Sequence, residues 1–120
     1  MNQHPIHRLD DDVHQRVRLG ILAVLSSVAR ADFAHLKSTL EVTDGNLGRH
    51  LQVLEEAGLV SLEKSADAGR ARTWVTVTRK GRAALRRETQ ALGDLIAEIE
   101  RHDRSAAARP LGRRDPAPEA

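Results

Sequence analysis

The chain has 120 residues, of which 40% are hydrophobic and 30% charged, with a net charge of +2 and no cysteine. This length fits one small domain, and the missing thiols exclude a disulfide scaffold and a thiolate metal site. No apolar run approaches the ~20 residues of a membrane helix, and MNQHPIHRLDDD lacks the apolar stretch of a secretory signal, so we expect a cytoplasmic protein.

A flexible N-terminus over residues 1–9 is predicted to precede a first helix from Asp10 to Ser27. Apolar residues recur in this stretch at three- and four-residue steps, and the acids at residues 10–12 stand where a helix start favours them. Additional leucines widen the apolar stripe beyond what one face of a small domain requires. The first helix therefore indicates a partner.

Two short helices are predicted next, after a connector at residues 29–31. Asp32 is a suitable N-cap for the segment FAHLKSTL. Thr43 can cap the following helix, which we place at Thr43–Ala57 and end with Gly58 as the C′ residue. The residues expected on its inner face are Leu47, His50, Leu51 and Leu54.

A β-hairpin is predicted over Val60–Val77, because two alternating apolar and polar runs flank the polar segment KSADAGRAR. Its tip is basic through Lys64, Arg70 and Arg72. Seven basic residues and no acid lie between Gly69 and Arg87. This stretch indicates either a surface that faces a polyanion or a solvated helix start rich in arginine.

The last predicted helix runs from about Arg79, behind Thr78 as its N-cap, to about Arg101. It carries a heptad seam that extends beyond what the small body can cover, so we predict that it pairs with a second copy. The seam residues are Leu85, Thr89, Leu92, Ile96 and Ile99, broadened by Leu95. Residues 102–120 contain three prolines and few apolar residues, which predicts a disordered tail.

This element order predicts a mainly α fold with a small β-hairpin and a helix-turn-helix at its centre. In that motif the second helix enters the DNA major groove with its N-terminal residues leading. Arg49 could read guanine or contact phosphate, and Asn46 and Gln52 could read adenine. The candidate DNA contacts on this helix are Thr43, Asp44, Gly45, Asn46, Gly48, Arg49, His50 and Gln52.

Gly45 and Gly48 favour DNA binding over a merely solvated helix face. Each interior helical glycine costs about 1 kcal/mol relative to alanine, whereas a bare helix can approach a DNA backbone closely. His50 is either a weak phosphate contact or a partly buried core residue. Asp44 would be repelled by phosphates unless it accepts from a cytosine or pairs with a base such as Arg49. The wing residues Lys64, Arg70 and Arg72 would supply affinity and salt dependence.

Three segments, HQRVRLGILAVLSS, ADFAHLKSTLEVTDGNLGRHLQVLEEAGLVSLEKS and RARTWVTVTRKGRAAL, resemble winged helix-turn-helix DNA-binding regulators of the MarR/ArsR type. They are most similar to the short winged-helix DNA-binding domain subgroup, and the resemblance spans about Leu9 to Leu92. It implies a homodimeric repressor or activator, of which we predict a repressor. It also implies a recognition helix at Thr43–Ala57, a wing at Val60–Val77 and a winged helix domain over residues 10–101.

The resemblance further implies that the first and last helices make the dimer contacts, which adds Val17 and Ile21 to the seam. Relatives often carry proline where this chain has Arg16, so a break in the first helix is expected to be softer here. Relatives that sense metals use cysteines or His/Asp sets, and this chain has no such thiols. No cofactor or metal is predicted.

Three alternatives remain open. Glu98 and His102 could form half of a zinc site between helices, as in a metal-responsive sensor. A small-molecule effector could bind between the first helix, the last helix and the DNA-binding body. The domain could also be a protein-interaction module, although such a module needs neither a basic wing nor an open reading face. No phosphate loop, carboxylate pair or nucleophile set indicates an enzyme.

Overall fold

The structure, a computed structural model, describes residues 3–105 apart from the side chain of Asp67. Its elements confirm the predicted mainly α fold with a hairpin and a long last helix. In chain order they are a 3-10 helix at Pro5–Arg8, α1 (Arg16–Val28), β1 (Arg30–Asp32), α2 (Phe33–Leu40), α3 (Asp44–Glu56), β2 (Val60–Asp67), β3 (Arg70–Val77) and α4 (Arg79–Arg104). Most of the predicted tail lies outside the described residues.

The sheet has a third strand, which was not predicted from the sequence. β1 pairs antiparallel with β3, so the strand order is β1-β3-β2. The predicted connector at residues 29–31 is therefore wrong, because most of it belongs to this strand. Ala31 is buried opposite Val75, and the Val77 amide donates to the Ala29 carbonyl at 3.1 Å. Three residues are too few to show alternation, so β1 depends on its pairing with β3.

Helix α1 begins six residues later than predicted. The Asp10 carboxylate accepts from the Asp12 amide at 2.8 Å, which makes residues 10–15 a turn rather than a helix start. Gln15 is the N-cap, and its side-chain oxygen accepts from the amides of Val17 and Arg18, both at 2.9 Å. Side chains that bond to nearby backbone compete with helix formation, which explains the late start.

The N-terminal 3-10 helix packs along α4, although a flexible segment is predicted from the sequence over residues 1–9. Arg8 forms an ion pair with Asp94, and His4 lies 3.2 Å from the Glu98 carboxylate. Both contacts are with the second half of α4. This segment therefore covers one side of the long helix.

Helix α1 is the centre of the hydrophobic core, where it contacts α2, α3, α4 and β3. Val17 is 5% exposed and Ile21 is fully buried. The prediction that these two residues contact a second copy is therefore wrong, since the chain's own elements cover them. The wide apolar stripe of α1 reflects contacts on several sides within one chain.

Three predicted N-caps are confirmed. The side chains of Asp32, Thr43 and Thr78 each accept from a backbone amide in the first turn of α2, α3 and α4. Gly58 has a φ of +79° directly after the C-cap of α3, as expected of a C′ residue. Thr43 and Gly58 thereby define where α3 begins and ends.

The first turn of α4 lies directly against the start of β2. A Cβ added at Gly81 would stand 2.1 Å from the carbonyl oxygen of Leu59, so glycine is required for this approach. The Thr78 amide also donates to the Leu59 oxygen at 3.0 Å. These contacts anchor α4 at the base of the hairpin. None of the helices in residues 3–105 combines the length and apolar character that crossing a membrane requires.

Candidate nucleic-acid interface

Helix α3 has a buried inner face and a polar outer face, as predicted. Leu47, Leu51 and Leu54 are at most 2% exposed. The outer face and the N-cap carry seven of the eight predicted DNA contacts, all exposed: Thr43, Asp44, Gly45, Asn46, Gly48, Arg49 and Gln52. The structure therefore brings these seven residues together on one accessible surface.

The polar side chains on this face bond to each other. An Arg49 guanidinium nitrogen donates to the Asn46 side-chain oxygen at 3.2 Å, and the Gln52 amide donates to Glu56 at 3.3 Å. Such pairs, three or four residues apart, stabilise a helix by only about 0.2–0.5 kcal/mol. A base edge or a phosphate could therefore replace these partners at little cost.

Asp44 is paired with Lys37 of α2, and not with Arg49 as considered from the sequence. The Lys37 ammonium lies 2.9 Å from the Asp44 carboxylate. Both side chains are largely exposed, so the pair adds little stability. It does offset the negative charge of Asp44, which would otherwise repel phosphates at the start of α3.

Neither glycine of α3 is required by the packing of the chain. A Cβ added at Gly45 or at Gly48 would have no neighbouring atom within 4 Å. Both positions also have φ values outside the positive range. The absence of side chains there leaves a bare strip on the outer face, next to Arg49.

His50 does not belong to the DNA-facing surface, so its prediction as a DNA contact is corrected. Its side chain is 8% exposed and points to the inner face of α3. Its Nδ1 accepts a hydrogen bond from Arg18 of α1 at 3.0 Å, because guanidinium nitrogens can only donate. Burial, together with the nearby Arg18 and Arg49 charges, lowers the pKa of His50 below its usual 6.5. The imidazole is thus a neutral acceptor in the core.

The hairpin β2–β3 forms the predicted wing. Ala68 and Gly69 at its tip both have positive φ, the combination that type I′ hairpin turns require. Lys64 pairs with Thr73, whereas Arg72 pairs with Ser65. Since alternate residues of a strand point to opposite faces, Lys64 lies on one face of the wing and Arg70 and Arg72 lie on the other.

Arg72 is bound within the chain, which the sequence did not indicate. Its guanidinium donates to the Asp32 carboxylate at 3.1 Å and lies 5.7 Å from the centre of the Trp74 ring. Arg30 stacks on the same ring at 4.0 Å, a favourable cation–π distance. Arg70 and Lys64 are exposed nearer the tip and are better placed for an external anion.

The basic stretch seen in the sequence is divided between two places. Arg70 and Arg72 lie on the wing, whereas the other five basic residues follow the base of the wing on the first turns of α4. These five are exposed: Arg79, Lys80, Arg82, Arg86 and Arg87. Only Arg70 and Arg72 of this stretch therefore belong to the wing.

The predicted seam on α4 is partly exposed. Ile96 and Ile99 are 53% and 58% exposed, and Leu85, Leu92 and Leu95 are half-buried. Thr89 donates to the Leu85 carbonyl at 2.8 Å, so its hydroxyl is satisfied within the helix. Six of the eight predicted dimer residues thus lie on accessible or half-covered parts of α4.

A buried carboxylate on α4 was missed from the sequence. Glu88 is fully buried, and its two oxygens contact the Asp10 amide at 2.8 Å and the His14 Nδ1 at 2.7 Å. A weak signal was available, because Glu88 lies four residues after Ala84 and three before Ala91, which are both buried. This periodicity puts Glu88 on the core face, but only the fold supplies its partners.

The alternative of a metal half-site at Glu98 and His102 gains no further ligand from the described part of the chain. Glu98 faces His4, and His102 is exposed. Residues 3–105 contain no group of three or more His, Cys, Asp or Glu side chains that could hold a metal ion.

An open groove of about 760 Å³ lies between the N-terminal segment and the second half of α4. Its lining includes no residue of α1 or of the DNA-binding body, between which and α4 an effector was expected. Two charged pairs line it, Arg8 with Asp94 and His4 with Glu98, and Arg101 lines it as well.

The chain is similar to known proteins over most of its length. A family model described as "Winged helix DNA-binding domain" matches residues 17–96. An uncharacterised protein of Methanocaldococcus jannaschii is 42% identical over 84 residues, which cover 70% of this chain and 91% of that protein. Both matches include the α3 surface and the wing.

Solved structures are similar over the same elements. A transcriptional regulator homologue from Pyrococcus horikoshii OT3 superposes with a TM-score of 0.76 and 31% identity, over 82% of this chain and 99% of that one. The M. tuberculosis transcriptional regulator MOSR, solved in complex with DNA, has a TM-score of 0.62 and 27% identity, over 81% of this chain and 69% of that one.

Proposed function

Since this chain belongs to the winged helix DNA-binding domain family and is a DNA-binding transcriptional regulator, we propose that it reads the DNA major groove with α3 and holds the backbone or the minor groove with the wing. The observation that carries this proposal is the bare, hydrogen-bonding outer face of α3. It exposes Asn46, Arg49 and Gln52 beside two glycines that the chain's own packing does not require. We further propose that the protein acts in the cytoplasm and has no catalytic role.

Double-stranded DNA would meet two kinds of side chain. Arg49 and Asn46 can form bidentate contacts with guanine and adenine, which specify sequence. Arg70 and Lys64 on the wing can contact phosphates, which adds affinity that depends on salt but carries no sequence information. The DNA complex of MOSR, a regulator with the same fold, supports this assignment.

We also propose that the regulator is a homodimer. The support is the exposed seam on α4, where two isoleucines more than half exposed continue a line of half-buried leucines. A row of exposed apolar side chains on a helix commonly marks a contact with another protein chain. A dimer would contact two half-sites and could act as a repressor by covering a promoter. A reporter gene fused to the bound sequence distinguishes repression from activation.

The test begins with selection of bound sequences from a random pool of double-stranded DNA. The purified chain should enrich a defined motif and prefer it over bulk DNA by at least about 10³-fold. Arg49→Ala should weaken binding to the motif by about 1–3 kcal/mol and relax the preference at one base position. Failure to bind any DNA at low salt would refute the proposal.

An effector is a second proposal, for which the groove between His4, Arg8 and the second half of α4 is the candidate site. Two ion pairs and Arg101 line this groove. A screen of small metabolites for a change in operator affinity would test it. The Arg8→Ala variant, which removes the Asp94 partner, is the matched control for binding in this groove.

A further inference from the structure

Arg18 connects the recognition helix to a turn at the start of α1. Its guanidinium donates through Nε to the Asp12 carbonyl at 2.8 Å and through one terminal nitrogen to the Asp11 carbonyl at 3.2 Å. Its other terminal nitrogen donates to the His50 Nδ1 of α3 at 3.0 Å. All three guanidinium nitrogens thus have a partner, and these partners belong to two different segments.

The turn itself is fixed from its other side. Val13 in the middle of it is fully buried. The buried Glu88 of α4 accepts from the Asp10 amide and contacts the His14 ring. Arg18 therefore holds α3 against a turn that the core and α4 already hold in place.

His50 is adjacent in sequence to Arg49 but faces the opposite side of α3. Because α3 is a rigid helix of 13 residues, a rotation about its axis at His50 moves the Arg49 side chain over the DNA. The other inner contacts of α3 and its C-cap are apolar, through Leu47, Leu51, Leu54 and Ala57, and apolar contacts are not directional. The Arg18–His50 hydrogen bond is the directional contact on this face and can set the rotation.

We propose that Arg18 is a positioning residue for sequence recognition, which holds the rotation of α3 through the Nδ1 atom of His50. The proposal rests on the proposed function, in that α3 must read the DNA. Arg18 itself does not touch DNA. Losing its contact should reduce the preference for the selected motif much more than the affinity for bulk DNA.

A pair of substitutions at His50 provides the test. His50→Asn keeps an acceptor close to the place of Nδ1, whereas His50→Leu fills the same buried space without an acceptor. If only packing mattered, leucine would be the better replacement among the core leucines. We expect the opposite order for the preference of motif over bulk DNA, measured by fluorescence anisotropy with the full chain.

The expected loss for His50→Leu is about tenfold in motif affinity, the size of one hydrogen bond to a charged group, with bulk DNA affinity changed by less than about twofold. His50→Asn should stay within about threefold of the wild type, since its acceptor is retained. Equal preference in all three proteins would overturn the proposal, as would a His50→Asn protein no better than His50→Leu.

Arg18→Met tests the other end of the contact. It should reproduce the loss seen for His50→Leu, and the double variant should be no worse than either single one, because the two share one interaction. Additive losses would refute the assignment. If Arg18→Met fails to fold by circular dichroism, the His50 pair still decides the question.

The outcome is distinguishable from failure of the proposed function. If α3 does not read DNA, the wild type shows no preference for a motif and Arg49→Ala has no effect. If the wild type discriminates and His50→Leu discriminates equally well, only the positioning role of Arg18 is wrong.

Discussion

Two adjacent residues of α3, Arg49 and His50, occupy opposite environments. Arg49 is exposed beside the glycines, and His50 is buried against Arg18. The lowered pKa of His50 has its main cause in burial, followed by the nearby positive charges. A neutral imidazole is what the contact needs, because a protonated ring has no acceptor to offer Arg18.

Stability should depend on pH through His50. Since its pKa is lower in the folded chain than the usual 6.5, the unfolded chain takes up the proton first as the pH falls. The contribution of His50 is therefore fully present above about pH 6.5 and is lost as the pH falls toward the folded-state pKa.

We expect the free energy of unfolding, measured with urea, to decrease from about pH 7.5 to about pH 5. His50→Asn should decrease less, because it removes the titrating group. A hydrogen bond from Arg8 lowers the pKa of Asp94 from 3.8, so this carboxylate stays charged over the range. Identical slopes in the two proteins would contradict the prediction.

Gly48→Ala should change stability and DNA affinity in opposite directions. An added Cβ meets open space, so Gly48→Ala should raise the free energy of unfolding by up to about 1 kcal/mol through helix propensity. The same methyl group would hold DNA away from α3 and should lower motif affinity. Thermal melts and anisotropy titrations on one preparation measure both effects.

Gly93→Ala is the matched control for Gly48→Ala. Gly93 is another exposed helical glycine with open space at its Cβ, but it lies on α4. Its substitution should give a comparable gain in stability. Because Gly93 also lies at the proposed crossing of two α4 helices, sedimentation must first show an unchanged oligomeric state, and the preference of motif over bulk DNA should then be unchanged. An unaltered motif affinity in Gly48→Ala would show that α3 does not approach DNA along this face.

At the scale of elements, the wing is a hairpin whose arginines differ in their surroundings. Arg72 is bound to Asp32 near the N-terminus of α2, which attaches the wing to the helical body. Arg70 precedes it by two residues on the same face and is exposed. The wing therefore has an attached middle and an accessible tip.

The salt dependence of DNA binding should differ between the Arg70→Ala and Arg72→Ala variants. Arg70→Ala should lower the affinity for all DNA sequences and reduce the slope of log affinity against log salt by about one. Arg72→Ala should change the slope less, because a contact to phosphate would first require release from Asp32. Titrations of bulk DNA at several salt concentrations measure the slopes. Equal reductions for both variants would mean that Arg72 leaves Asp32 on binding.

At the scale of the whole molecule, the charges that flank the α4 seam favour an antiparallel partner. Arg86 and Glu100 each lie seven residues from Gly93 on the same edge of the seam. If two copies of α4 cross antiparallel at Gly93, Arg86 of one copy comes level with Glu100 of the other. In a parallel pair Arg86 of one copy would stay about 20 Å along the helix axis from Glu100 of the other.

A charge exchange tests the proposed dimer. Arg86→Glu or Glu100→Arg alone should raise the dimer dissociation constant by about tenfold, because like charges then face each other at two places. The double exchange should restore it toward the wild type. Sedimentation equilibrium measures the constants. A wild-type chain that remains monomeric at micromolar concentration would contradict the dimer.

The sequence was informative wherever structure depends on local chemistry. The caps Asp32, Thr43 and Thr78, the C′ glycine and the period of α3 follow from contacts between residues close in the chain. The hairpin limits Val60–Val77 were recovered because its alternation is regular. The outer face of α3 could be predicted for the same reason, since a buried leucine face defines the opposite one.

The features that could not be predicted from the sequence depend on contacts between residues distant in the chain. β1 forms because β3 is beside it, the Asp10 amide donates to Glu88 across 78 positions of sequence, and the buried His50 accepts from Arg18 across 32 positions. A single sequence shows residue types and spacing, from which the helices, the wing and the polar outer face of α3 follow. Which apolar side chains are buried, and which charges are already paired, depends on neighbours that are distant in sequence. Only the folded chain brings these neighbours into contact.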